Sequence, residues 1–407
     1  MPLSISLHRP EDLLRWIADG GGQLDLDDLE GVDIWGLVAL AALRREPAEP
    51  RVGVALGSGG ASRFASAVGF RELTNGTPTT TPSEPERTVP LRALDAFPQV
   101  EPTAREITRL LLRGEDQREV RRTIHYVIVE LLRNVVQHSR ASSGGVVAAQ
   151  VMREGPYARS PAIQVAVADG GVGILASLRS RNPEIASAEE ALDKARWPFV
   201  SGAFERGLTG SRQNAGMGLF FITEMAKLTA SRLLIATRDA GVFVQGDPDD
   251  IDRHDERLLR PRGLGFPGTL VVFELPFATA APDYDGLIRV IADRARARTP
   301  ARAVDRWFRF DDEPPPDARR LVVSVAAEDT VAAERYSQEV LQPAVLSGRP
   351  LALVFTNLPV ATQSYLHTLL FEVIRLAWAK RVPIYVAGAG PAVQSSLELL
   401  EQYALGG

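Results

Sequence analysis

Residues 163–174 read IQVAVADGGVGI. Its first six residues alternate in the manner of a strand and are β-branched or small, with one glutamine among them. Asp169 follows, then Gly170, Gly171 and Gly173. This is the pattern of a buried strand that ends on a carboxylate, with backbone freed by glycine beside it. An ionised carboxylate only accepts hydrogen bonds, so in a pocket it prefers a ring bearing an exocyclic amine, adenine, over guanine with its carbonyl at the same place. A plain Asp-Gly turn after a strand explains the same residues, so the neighbouring sequence has to decide.

Upstream, residues 124–139 read IHYVIVELLRNVVQHS, an apolar-periodic helix interrupted by Glu130, Asn134 and His138. Glu130 and Asn134 are four residues apart and project about 40° from one another. A carboxamide oxygen is a hard ligand suited to Mg2+, and a carboxylate can take a proton from attacking water. Downstream, residues 207–219 read GLTGSRQNAGMGL. Glycines ahead of a helical stretch at 220–229 point amide N–H groups and a positive dipole end at an anion. Finally, Gly268 and Thr269 open a strand over residues 270–275, where a hydroxyl reaches a base or its bridging water.

In this fixed order the four stretches resemble the GHKL ATP-binding family, which includes DNA gyrase B, Hsp90, histidine kinases and MutL. Glu130 and Asn134 match its N box, and Asp169, Gly171 and Gly173 its D-x-G-x-G box. Gly216, Met217, Gly218 and Leu219 match its G-x-G-L box, and Gly268-Thr269 its last box. The resemblance spans about residues 100–276. It implies an α/β fold of Bergerat type, a mixed sheet with helices on one face, that binds ATP and Mg2+ under a lid at residues 175–215. It also implies that Asn134 holds Mg2+, that Asp169 reads adenine, that residues 216–219 wrap phosphate, and that Glu130 is a general base or a positioning group. His138 and Arg212 are read first as packing or surface residues. The lid's only lysine is Lys194, so hydrolysis that relies on a lysine contact is not expected.

The flanks look like weak relatives of one another. Residues 23–26 and 51–56 read as strands, each followed by a helix, at 33–45 and 62–68. The same order recurs at 351–355, 362–380, 381–386 and 391–403, which parallel βαβ units produce. Their glycine turns, 57–60 and 388–390, complete no dinucleotide fingerprint and read as tight strand-to-helix turns. Both flanks resemble STAS-like domains, the C-terminal one in its DUF4325 form. Asp33-Ile34-Trp35-Gly36-Leu37 stands where such a domain carries its phosphoacceptor serine, so this copy is not expected to be phosphorylated. Thr362 and Ser364 open a helix and read first as caps. The expected organisation is a STAS-like α/β domain over 1–73, a linker over 74–92, the ATP-binding domain over 93–278, a helical linker over 279–318 and a second STAS-like domain over 319–407.

The chain has 407 residues, of which 45% are hydrophobic and 24% charged, so it is globular rather than disordered or coiled-coil. There is no cysteine, which closes thiol, disulfide and cysteine-metal chemistry. The net charge of -5 argues against broad nucleic-acid binding. Of 46 basic residues only Lys194, Lys227 and Lys380 are lysine, and none sits in a P-loop setting. No apolar run approaches the roughly 18 residues of a membrane helix and no signal peptide is visible, so a cytoplasmic protein without a membrane partner is expected. The leading expectation is an ATP-Mg2+ binding protein, slowly hydrolysing, that acts as a nucleotide-gated switch with a protein partner docking on the STAS-like pieces and a homodimer formed through one of them. Two alternatives stand beside it: a protein kinase of histidine or anti-sigma serine type, and a non-catalytic ATP-dependent scaffold. No pair of dimerisation helices bearing an acceptor histidine precedes the N box, and His125 lies inside the N-box helix.

Overall fold

The structure is a computed structural model. It describes residues 4–46, 52–75, 87–111, 114, 118–152, 161–180, 182–198, 200, 216–250, 252–259, 261, 263–277, 284–298, 306–323, 330–356, 358 and 360–406. The last part of the expected lid, residues 201–215 with Gly207, Gly210 and Arg212, lies outside them, as does much of the expected linker. The chain divides into two compact units, one of Met1–Ala195 with Thr223–Ala281 and one of Arg196–Ile222 with Pro282–Gly407.

The first unit is built on seven strands. Their spatial order is His254–Leu258, Ala240–Gly246, Arg232–Thr237, Thr269–Pro276, Ala162–Asp169, Gly145–Met152 and Thr88–Leu94. Every neighbouring pair is antiparallel. The expected mixed sheet is therefore corrected to an antiparallel one. Hairpins link several of its neighbours, and among the described residues no crossover helix feeds a parallel strand into it. Thr88–Leu94 is an edge strand of this sheet, so residues 88–92, expected as linker, belong to the fold.

Register assigns side chains to faces, because successive residues in a strand point opposite ways. Val146, Ala148, Ala166, Ala168, Leu234, Ala236, Leu270 and Val272 lie in register on one face. All eight join one hydrophobic core with Ile5, Leu13, Trp35, Leu40 and Phe70 of the N-terminal stretch. The helix Ile34–Arg45 lies on this face, and all ten of its residues from Ile34 to Leu43 are buried. The helix Arg118–His138 covers the other face. Gly145, the register partner of Asp169, turns toward it, and a methyl group there would strike Val135. The expectation of helices on one face only is thereby corrected. The described residues of 4–75 likewise form no separate core. Their strand pairs, Ser4–Ile5 with Gly31–Val32 and Gln23–Asp25 with Gly53–Ala55, are parallel as expected but only two strands wide. A two-stranded pair cannot bury the apolar helix beside it, and the antiparallel sheet does so.

The second unit holds a four-stranded, wholly parallel sheet in the order Phe308–Phe310, Ile384–Ala387, Leu351–Val354, Arg319–Val322. The helix Gln363–Lys380 connects two of these strands, with Thr362 as its N-cap accepting the Tyr365 N–H at 3.2 Å. Its core joins Leu353 and Val386 to Leu366, Leu370, Ile374, Leu397 and Leu400. The segment expected as a helical linker, 279–318, is part of this unit. Its helix Tyr284–Ala297 packs on Pro391–Gly406, with Arg296 donating to the Ser395 carbonyl at 3.2 Å, and its strand Phe308–Phe310 closes one sheet edge. Among the described residues no helix is long and apolar enough to cross a membrane.

Candidate functional site

The strand Ala162–Asp169 ends on Asp169 as the sequence predicts. Asp169 is buried, and its Oδ1 accepts the Gly171 N–H at 2.9 Å. Removal from water penalises the charged form and pushes its carboxyl up to about 7. Backbone hydrogen bonds from Gly171 and Thr269 and the Arg238 guanidinium pull the other way, and the Glu46 carboxylate adds to the upward push.

The glycines after Asp169 are required by close approach. A methyl group on Gly171 would collide with the Ser139 carbonyl. Gly173 has φ +75, and a Cβ there would stand 2.9 Å from both Thr237 Oγ1 and Arg238 Cγ. Gly268 has φ +95 and lies against the Asp169 carbonyl oxygen. Thr269 follows it, paired in register with Asp169 on one side and Thr237 on the other. Thr237 Oγ1 donates to the Gly268 carbonyl at 2.8 Å and accepts the Ile174 N–H at 2.9 Å, so one hydroxyl joins two of the predicted boxes. Arg238, itself at φ +27, donates through Nη2 to the Gly171 carbonyl at 3.0 Å.

Glu130 and Asn134 lie on the helix Arg118–His138, about 140° and 100° around it from Val135 at 3.6 residues per turn. Val135 faces the sheet, which puts Asn134 on the helix flank and Glu130 beyond it, toward the side turned from the sheet. Glu130 is buried. The Asn134 Nδ2 is buried with no hydrogen-bond partner among the described residues. A buried amide left so costs roughly 1–3 kcal/mol, which a polar ligand would recover. This nitrogen is a donor suited to a phosphate oxygen; a half-turn of the amide presents Oδ1, the atom that Mg2+ requires. Beyond the end of this helix the Ser139 carbonyl accepts the Val172 N–H at 2.8 Å. That bond fixes the helix to the glycine loop, with Asn134 five residues, or about 7.5 Å of helical rise, before it.

Glu130, Asn134, Asp169, Gly171, Gly173 and Thr269 thus belong to one unit, and the loop of Asp169 is tied by hydrogen bonds to the ends of two other predicted stretches. Gly216, Met217, Gly218 and Leu219 belong to the other unit. There Gly216 has φ +64 with its open side 2.7 Å from the Val200 carbonyl, and Gly218 begins the helix Gly218–Leu228. His138 is held neutral, its imidazole pushed down to about 4 by burial and by Arg140. His125 pairs with Glu101 at 3.6 Å and faces Thr108, so it is engaged inside the fold.

Among the described residues no group of three histidines, aspartates or glutamates could hold a metal ion. An Mg2+ here would therefore take few protein ligands and keep water and phosphate oxygens, its usual habit with nucleotides. Sequence reasoning did not identify Thr237, Arg238, Ser139 or Glu46. Each acts through a contact made by sheet register or helix docking, and nothing in its local sequence marks it. The glycine turn at 57–60 is filled from within: Asp27 accepts the N–H groups of Ser58 and Gly59 at 2.9 and 2.8 Å and the Ser62 hydroxyl at 2.5 Å. Ile34 and Trp35 are wholly buried, as are Thr362 and, nearly so, Ser364. Compared with known protein families, with curated proteins and with solved structures, the chain matches none.

Proposed function

We propose that the chain binds ATP with Mg2+, Asp169 receiving the adenine amine and Asn134 the metal-bound phosphates, and that it is a slow ATPase used as a nucleotide-gated switch. What supports this most is the state of Asp169. A carboxyl at a strand end, buried, with one oxygen already engaged by Gly171 and three glycines clearing the backbone around it, is poor for stability and well suited to reading a planar ring. Mg2+, when bound, neutralises phosphate charge; in a chain with three lysines that task otherwise falls to backbone amides and arginine. In this reading Glu130 takes the proton of attacking water or positions it. A GHKL protein with a Bergerat-type site and STAS-like flanks is the family reading that accompanies it.

Among the alternatives, a kinase that labels its own Ser364 or Thr362 is disfavoured, since both are buried and Thr362 caps its helix. Transfer to a separate partner and a non-catalytic scaffold are distinguished by one experiment. Purified protein is incubated with γ-labelled ATP and Mg2+, and free phosphate and protein-bound label are followed. Free phosphate that disappears in Glu130→Ala is expected. Label on the chain or on an added partner, with no free phosphate, would replace the ATPase reading by a kinase; binding with neither product would leave the scaffold.

A further inference from the structure

Asp169 belongs to the central sheet, but the surface behind its loop belongs to the N-terminal stretch. Glu46 follows directly on the helix Ile34–Arg45, its N–H still bonded to the Ala42 carbonyl at 3.3 Å. The residue is 7% exposed. One carboxylate oxygen accepts the Ser142 hydroxyl at 2.9 Å and the other the Ser143 hydroxyl at 3.2 Å. Arg45 is directed to the Ser143 carbonyl at 2.8 Å. These serines lie between the helix Arg118–His138 and the strand Gly145–Met152, in the same connection whose Ser139 carbonyl holds Val172. On its other side Glu46 meets the loop itself, since a Cβ on Gly170 would stand 2.6 Å from Glu46 Cβ and 2.8 Å from its Cγ. Glu46 therefore braces both arms that define the Asp169–Val172 loop.

A charge in this position is unfavourable on two counts. It stands at the C-terminal, negative end of a helix, and it faces a second buried carboxyl. Neutral glutamine has the same shape and can hydrogen-bond the same serines, so packing alone does not call for a carboxylate.

We propose that Glu46 is a positioning residue for the nucleotide site, bracing the Asp169 loop from behind and, through its negative charge, biasing the Asp169 carboxyl, so that residues 4–75 set the affinity for the adenine ring. This rests on the reading of Asp169 given above. The charged groups that face Asp169 are Glu46, from the end of the N-terminal helix, and Arg238, from the turn after Arg232–Thr237. Glu46 and Arg238 oppose each other, so removing Glu46's charge leaves Arg238's to favour the ionised Asp169. That is the form which makes a charge-assisted hydrogen bond to the adenine amine.

The test uses the full chain with Glu46→Gln and Glu46→Ala. The Asp169 carboxyl is titrated by carbon-13 NMR, its signal assigned with Asp169→Asn, without nucleotide. ATP-Mg2+ affinity is then measured across the same pH range. In the unaltered chain the Asp169 midpoint should lie near 7. In Glu46→Gln it should move down by about half a pH unit, and ATP affinity just below neutral pH should rise about two- to threefold. A merely structural role would lower affinity equally at every pH. An Asp169 midpoint unmoved in both variants overturns the proposal. A midpoint that moves in a chain that binds no ATP at any pH upholds the Glu46–Asp169 coupling and overturns the nucleotide reading. If Glu46→Ala loses its fold, as judged by circular dichroism, the Gln variant decides alone.

Discussion

The N-terminal stretch, residues 4–75, and the C-terminal unit present the same local pattern: a strand, an apolar helix, a second strand, a glycine turn and another helix. Both pair those strands in parallel. Both also fill the glycine turn with a carboxylate of their own, Asp27 at Ser58 and Gly59 and Asp312 at the Gly388 N–H, 2.8 Å away. Yet one becomes the cover of an antiparallel sheet and the other an independent core. The difference lies in strand number. Four strands offer a surface wide enough to bury the helix Gln363–Lys380, whereas pairs of strands leave the helix Ile34–Arg45 with ten consecutive apolar or small residues and nothing of their own to bury them. A repeated motif therefore shows which elements form, and the area that each can cover determines whether it stands alone.

The largest expected effect tests that contrast. Leu40→Ala removes a wholly buried side chain from the shared core and should cost about 2–5 kcal/mol. The cost should appear in region-resolved hydrogen exchange as faster opening of residues 162–169 as well as of 34–45. Leu369→Ala should cost a similar amount and speed exchange only within residues 351–403. If Leu40→Ala leaves 162–169 untouched, the N-terminal stretch is a separate domain after all.

Next in size is a contrast of two glycines. Gly268→Ala meets both an unfavourable φ of +95 and the Asp169 carbonyl, and about 2–4 kcal/mol of lost stability is expected together with loss of nucleotide binding. Gly388→Ala has φ +68 but its nearest neighbour is 3.5 Å away, so only the backbone term of about 1–2 kcal/mol applies. Thermal melts of the two variants measure the gap.

A smaller effect, opposite in sign, is expected for Asp169→Asn. Burial raises the folded-state pKa of Asp169 to about 7, above that of the unfolded chain. Folding thus favours the acid form: its contribution is full below about pH 4 and is lost as pH rises through 7. The neutral amide keeps an acceptor for the Gly171 and Thr269 N–H groups, so the variant should be more stable than the parent at pH 8, by roughly 1–2 kcal/mol, and no more stable at pH 4. Denaturant titrations at the two pH values check this. Smallest of all, Thr362→Ala removes one helix cap from the C-terminal unit and should cost about 1 kcal/mol, with no change in nucleotide binding.

Elements governed by local sequence were legible. The helix read at 362–380 is found at Gln363–Lys380 with Thr362 as its cap, and the strand read into Asp169 ends there. These follow from periodicity and capping, which short windows contain. The antiparallel pairing and the cover over the second sheet face were not read, because pairing partners lie far apart in sequence. One signal for the cover was present: IWGLVALAAL, residues 34–43, is apolar all round, as in a helix buried on every side. At the site the same division holds. Asp169, Gly171, Gly173 and Thr269 carry their own sequence marks. Arg238 and Glu46 look like ordinary surface charges until sheet register and helix docking bring them to the loop.

The central claim is that Asp169 reads an adenine nucleotide, and calorimetric titration of the full chain with ATP and Mg2+ tests it most directly, with GTP and the Asp169→Asn variant alongside. Loss of one charge-assisted hydrogen bond is worth about 1.5–3 kcal/mol. Saturable ATP binding is expected, weakening about tenfold or more both in Asp169→Asn and when GTP replaces ATP. Equal affinity of the variant for ATP, or no binding of ATP by the unaltered chain, would contradict it.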